Sequence, residues 1–221
     1  MSKKKLHAVF ILDETGSMQV RKAAAISGYN EYVETLKSNG VAKGLRFSLV
    51  SFNSGHTTTV CDAVRVKDIP LLTNDSYRPD NCTPLYDAIG TTLRAMEKSV
   101  VDGGALVIIL TDGEENDSKS WTRVQVYDLI KEKKDAGWKF VFLGADVDAY
   151  QAGYVNLGID SEDCATYASG CTGDVVGKTV AQVTMTYAAS GGMGTGGARA
   201  TMNATVPGAL VDSDSRATPT P

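Results

Sequence analysis

The chain has 221 residues, of which 43% are hydrophobic and 22% charged, the make-up of a soluble globular domain with room for an appendage. Its 22 Lys and Arg against 26 Asp and Glu leave a net charge of −4, so the basic footprint of a nucleic-acid binder is missing, and no run of roughly 18 or more apolar residues is available to cross a membrane. A chain of this length buries roughly 70% of the surface its unfolded form exposes, enough to fold without disulfides or a structural metal.

In chain order, Lys3-Lys4-Lys5 and the apolar run Leu6–Leu12 have the outline of a leader peptide. The run is short, contains His7 and stops at Asp13 with no small-residue cleavage site, so it predicts a strand buried on both faces. A cytoplasmic, reducing setting follows as the expectation, with Cys61, Cys82, Cys164 and Cys171 as free thiols, although spacing permits a Cys164–Cys171 bridge. Ile26, Tyr29, Val33 and Leu36 keep helical spacing up to Asn39-Gly40. Leu45–Phe52 alternates as a strand, and after the turn Asn53-Ser54-Gly55, His56–Cys61 forms its hairpin partner at a sheet edge. Leu85, Ile89, Leu93, Met96 and Val100 mark a second helix, with Thr83 as its N-cap. Ala105–Leu110 predicts a central strand, Trp121–Ala136 a helix and Lys139–Leu143 a further strand. A short helix near Val147–Leu157, a weak strand at Asp163–Tyr167 and a helix near Val175–Tyr187 complete the series.

Strands alternating with helices predict an α/β fold: a doubly wound, mostly parallel six-stranded sheet with one antiparallel edge strand and helices on both faces. Residues 1–187 form the domain in this scheme. Residues 188–221 lack aromatic residues and hold five glycines between Gly191 and Gly197, so a Gly/Ser/Thr/Pro-rich flexible tail is expected.

In such sheets ligands bind at the carboxyl ends of the strands, beside the point where strand order reverses. Asp13-Glu14-Thr15-Gly16-Ser17 leaves the first strand there, Thr111-Asp112-Gly113 leaves the central strand at the same edge, and Thr83-Pro84 opens the helix between them. Two carboxylates and three hydroxyls converging on one point suit a hard divalent cation, which takes oxygen ligands and, for Mg²⁺, keeps several waters. Glu14, Glu114, Glu115 and Asp117 are expected to form a solvated acidic rim that repels acidic partners until metal is present. Asp146 and Asp148 are expected to cap the helix that follows them.

Asp-x-Thr-x-Ser after strand one, Thr-Pro-Leu-Tyr-Asp-Ala at a helix start and Thr-Asp-Gly-Glu-Glu-Asn after the central strand resemble the von Willebrand factor A domain and its metal-ion-dependent adhesion site. The resemblance spans about residues 5–190 and is nearest to small stand-alone bacterial or phage members, whose later strand is similar to Gly137–Phe140 and Phe142–Ala145. It implies metal ligands Asp13, Thr15, Ser17, Thr83 and Asp112, with Thr15 where the family more often has Ser. It implies Mg²⁺ or Mn²⁺ as cofactor and a non-enzymatic function: metal-dependent adhesion or scaffolding in which a partner protein's Asp or Glu completes the coordination. Some family members work beside AAA-type ATPases or in tellurium-stress systems, so the resemblance implies a partner such as an AAA-type ATPase or like subunits in an assembly, with no nucleic acid or membrane involved and a virion location if phage-encoded.

Two alternatives stay open. One is a metal-dependent phosphohydrolase using Asp13, although Thr15 stands where that chemistry needs a second Asp as general acid. The other is a viral or assembly component docking through its C-terminal tail. A serine triad is disfavoured because the two histidines, His7 and His56, are not placed to serve Ser17. Gly173-x-x-x-Gly177-Lys178-Thr179 has three residues between its glycines where a phosphate loop needs four, and predicts a Gly-containing turn before a helix.

Overall fold

A computed structural model describes residues 6–100, 104–146, 148–167 and 173–205. Six strands form one sheet in the order β3-β2-β1-β4-β5-β6: β1 (His7–Asp13), β2 (Arg46–Asn53), β3 (His56–Arg65), β4 (Ala105–Thr111), β5 (Lys139–Ala145) and β6 (Cys164–Tyr167). All pairs are parallel except β2 with β3, the expected antiparallel edge. The helices are α1 (Lys22–Ser38), α2 (Leu85–Met96), α3 (Arg123–Asp135), α4 (Gly173–Ala189) and α5 (Ala198–Thr205).

Side chains alternate across the sheet, as the pleat requires. Ala8, Phe10 and Leu12 on β1 join Tyr32, Val33, Val180 and Tyr187 from α1 and α4 on one face. Val9 and Ile11 join Ile89, Leu93, Val126 and Ile130 from α2 and α3 on the other. Both faces of β1 and β4 are therefore buried, which is why these strands read as continuous apolar runs. β1 lies between β2 and β4, with Asp13 level with Phe52 and Leu12 level with Leu110. The chain winds outward in opposite directions from β1 and β4, so the loops after them share one crevice.

Three local expectations are corrected. The helix expected near Val147–Leu157 is a π-helical stretch, Tyr150–Asn156, and Val147 lies outside the described residues. Gly173 and Gly177 lie within α4 rather than in a turn, and they let its backbone press against α1: a Cβ on Gly177 would fall 2.2 Å from the Gly28 carbonyl oxygen. The boundary expected after Tyr187 falls inside α4, and a turn and α5 follow it among the described residues. Positive φ at Gly191, Gly192, Gly196 and Gly197 shapes that turn. Thr195 is buried, donates to Asp163 at 2.7 Å, and the Ala198 amide donates to the same carboxylate oxygen at 3.2 Å. Composition counts apolar area and misses a segment anchored by a buried carboxylate and a single core alanine, Ala198. Residues 206–221 lie outside the described residues. Cys164 is a free thiol, and Cys171, the partner that spacing permitted, lies outside the described residues.

Candidate metal centre

Asp13 closes β1 at full burial. Its Oδ1 accepts the Thr15 amide at 2.8 Å, an Asx-turn that sets the direction of the loop. Its Oδ2 accepts the Thr111 hydroxyl of β4 at 2.5 Å, and its carbonyl accepts the Tyr77 hydroxyl at 2.6 Å. Burial outweighs these bonds and pushes the Asp13 carboxyl up to about 6. Thr15, also buried, holds its hydroxyl 3.1 Å from that of Ser17. The Ser17 hydroxyl donates to Asp112 Oδ1 at 2.6 Å, which joins the β1 loop to the β4 loop. Burial raises the Asp112 carboxyl too, against the lowering pull of Ser17 and Arg21.

The second loop is drawn in by backbone bonds: Gly16 donates to the Asn81 carbonyl at 2.9 Å and Asp80 to the Glu14 carbonyl at 3.0 Å. Thr83 does not cap α2. The Glu115 carboxylate accepts the Tyr86 amide at 2.9 Å and the Ser118 hydroxyl accepts the Asp87 amide at 3.0 Å, so the third loop caps the helix from outside. Asn116 then clasps Thr83 in both directions, accepting its amide at 2.8 Å and donating its own to the Thr83 carbonyl at 3.1 Å. Gly113 leaves a small space between the hydroxyls: a Cβ there would lie 2.9 Å from Thr83 Oγ1 and 3.5 Å from Ser17 Oγ.

Asp13, Thr15, Ser17, Thr83 and Asp112 thus occupy one crevice at the top of β1 and β4. Thr111, Gly113, Asn116 and Arg21 shape it as well: the first three stand in the motif after the central strand but had no role assigned there, and Arg21 carried no signal in the sequence, because each acts through a contact set by the folded register. The acidic rim is corrected in part. Glu14 is buried and accepts the Arg78 amide at 2.5 Å, with His56 at 3.3 Å from its other oxygen. Glu115 accepts the Asp117 and Ser118 amides, the Ser118 hydroxyl and the Tyr86 amide. Glu114 is the exposed member. Asp148 does cap, accepting the Tyr150 and Gln151 amides at 3.1 Å, whereas Asp146 turns to Arg21. His7 bonds Ser48 at 2.9 Å, far from Ser17. Among the described residues no three His, Cys, Asp or Glu side chains form a metal-binding group, so a cation here would depend on the hydroxyls.

No protein-family model and no curated protein matches the chain. Solved structures do. The vWF domain of the type V pili tip protein Mfa5 from Porphyromonas gingivalis superposes with a TM-score of 0.61 at 12% identity, over 82% of this chain and 95% of that one. The pilus adhesin SpaC from Lactobacillus rhamnosus GG gives 0.59 at 14% identity, over 93% of this chain and 31% of that one. Proximal thread matrix protein 1 from the mussel byssus gives 0.56 at 15% identity over 83% of this chain, which spans 46% of that protein's length. A further structure of the mussel protein, with a zinc-occupied MIDAS motif, gives 0.56 at 14% identity over 82% of this chain and 48% of that one. The chain has the von Willebrand factor A fold.

Proposed function

We propose that this domain is a divalent-metal-dependent protein-binding module in which Asp13, Thr15, Ser17, Thr83 and Asp112 hold Mg²⁺ or Mn²⁺. The observation that carries this is the meeting of three hydroxyls and two buried carboxylates around a space that Gly113 leaves free of side chain. The donor set fits: every atom is a hard oxygen, and only two carry formal charge. A bound ion would supply a coordination shell incompletely filled by the chain, and an Asp or Glu of a partner protein would complete it. The zinc-occupied motif of the mussel protein supports a divalent cation in this fold.

The residues divide the work. Thr111 and the Thr15 amide hold the Asp13 carboxylate in one orientation, so that it balances charge without wandering into the open position. Ser17 and Asp112 act as a pair, and Asn116 fixes the backbone from which Thr83 projects. The same geometry argues against Asp13 as a nucleophile, since the Thr15 amide and the Thr111 hydroxyl hold both its oxygens and keep it from swinging out to attack.

Calorimetric titration of Mg²⁺ and Mn²⁺ tests this. A single saturable site is expected, lost in Asp13→Ala and Ser17→Ala with far-UV circular dichroism unchanged. Absence of binding up to millimolar metal in the folded protein overturns the proposal.

A further inference from the structure

We propose that Arg21 is a resident counter-ion that competes with the divalent cation for Asp112, and so sets how much free metal the domain needs. This rests on the metal-binding proposal above. Arg21 ends the 3₁₀ helix Gly16–Arg21 that carries Ser17. Its side chain crosses the tops of β4 and β5. Nε lies 3.6 Å from Asp112 Oδ2, and Nη2 donates to Asp146 Oδ2. The Asp112 side chain is only 3% exposed, so the pair is poorly screened by salt or water. The two oxygens of Asp112 are therefore divided: Ser17 takes one, and the Arg21 charge faces the other.

The contact is close enough to neutralise Asp112 but is not a hydrogen bond. Arg21 Nε is buried and has no hydrogen-bond partner, so the guanidinium anchors firmly to Asp146 and only electrostatically to Asp112. Asp146 adopts a left-handed backbone (φ 54°), held by its amide's bond to the Tyr167 carbonyl at 3.1 Å. That turn aims its carboxylate back across the crevice. A cation arriving among Thr15, Ser17 and Thr83 meets this fixed positive charge at short range, where like charges repel strongly in a partly desolvated site. Without metal, the same charge relieves the repulsion between Asp112 and Asp146. Arg21 therefore stabilises the metal-free domain and opposes loading.

Calorimetry with Mn²⁺ and Mg²⁺ on the full chain, alongside thermal melts in chelator and in saturating Mg²⁺, tests this. Arg21→Gln removes the charge while keeping a donor toward Asp146, and Arg21→Ala removes both. Each variant is expected to bind metal about tenfold more tightly or better and to lose more Tm in chelator than in saturating Mg²⁺. Asp146→Asn releases Arg21 onto Asp112 and weakens metal binding several-fold. That loss disappears when Arg21 is also Ala. Unchanged or weaker binding in folded Arg21→Gln, with the parent protein still binding metal, overturns the role of Arg21 alone. Failure of every folded variant and of the parent to bind metal overturns both proposals.

Discussion

Gly113 contributes by what it lacks. Its missing side chain leaves the space between Thr83 and Ser17, and a Cβ 2.9 Å from Thr83 Oγ1 would push that hydroxyl aside. Gly113→Ala is expected to weaken metal binding at least about tenfold while changing stability by about 1 kcal/mol or less, because the displaced atom ends a side chain. Calorimetry and urea melts on the same preparation separate the two effects. Asp13, Thr15, Ser17, Thr83 and Asp112 were legible in the sequence because each sits within a few residues of a strand or helix end, where local pattern fixes position. Arg21 was not, since an arginine in the run Gln19-Val20-Arg21-Lys22 looks like any solvated charge until β5 brings Asp146 opposite it. Glu14 and Glu115 were misread for a related reason: a carboxylate in a polar loop reads as exposed, and only the folded loops show how many amides it serves.

At the scale of elements, the crossing of α1 and α4 is unusually close. Ala24 and Gly28 on one helix face Gly173 and Gly177 on the other, and a Cβ on Gly177 would meet the Gly28 carbonyl at 2.2 Å and the Tyr32 amide nitrogen at 3.0 Å. Those are backbone atoms, so relief requires moving a helix. Gly177→Ala is expected to cost about 2–3 kcal/mol in urea denaturation, in the upper range of overpacking effects. A cost near zero would mean that the helices separate freely. Periodicity located both helices but assigned the glycines to a turn, because glycine signals close approach and turn equally well. The hairpin is a similar case. β3 was expected to end at Cys61 but runs to Arg65, past an irregularity in its pairing with β2. There the Ser48 hydroxyl donates to Asp62 at 2.7 Å and accepts the Ala63 amide at 2.9 Å, with Ala63 at φ 48°. No sequence period encodes an extra residue in an edge strand.

For the whole molecule, metal binding at the proposed site would be thermodynamically linked to folding. Metal at about 100 times its Kd adds about 2.7 kcal/mol to folding, which for a domain of this size raises Tm by roughly 5–10 °C. The gain depends on pH in a defined direction. Asp13 ionises near 6 in the folded chain and near 3.8 when unfolded, so its burial makes the metal-free protein lose stability as pH rises between those values. Metal requires the ionised form, and a proton competes with it below about 6. The Tm difference between saturating Mg²⁺ and chelator is therefore expected to be wider at pH 7.5 than at pH 5. A difference that narrows on going to pH 7.5 would remove Asp13 from the metal's surroundings. The doubly wound sheet itself was legible, because alternating apolar runs and helical periods leave few topologies. The anchored segment from Ser190 to Thr205 was not, since its hold on the domain comes from the buried Asp163 carboxylate and one small core residue, Ala198, rather than from a periodic apolar face.

Cys82 precedes Thr83 and is the one exposed thiol among the described cysteines, whereas Cys61 is half-buried and burial pushes the Cys164 thiol up to about 12. Its amide donates to the Ser54 hydroxyl and its carbonyl accepts the Ser54 amide, both at 3.1 Å, so the backbone beneath it is fixed while the sulfur faces solvent. Thiol chemistry at neutral pH favours such a position over a buried one. With Cys171 replaced by serine, the chain thus carries its own attachment point for a fluorescent dye one residue from the crevice, where the dye's emission would follow loading of the site and arrival of a partner in real time.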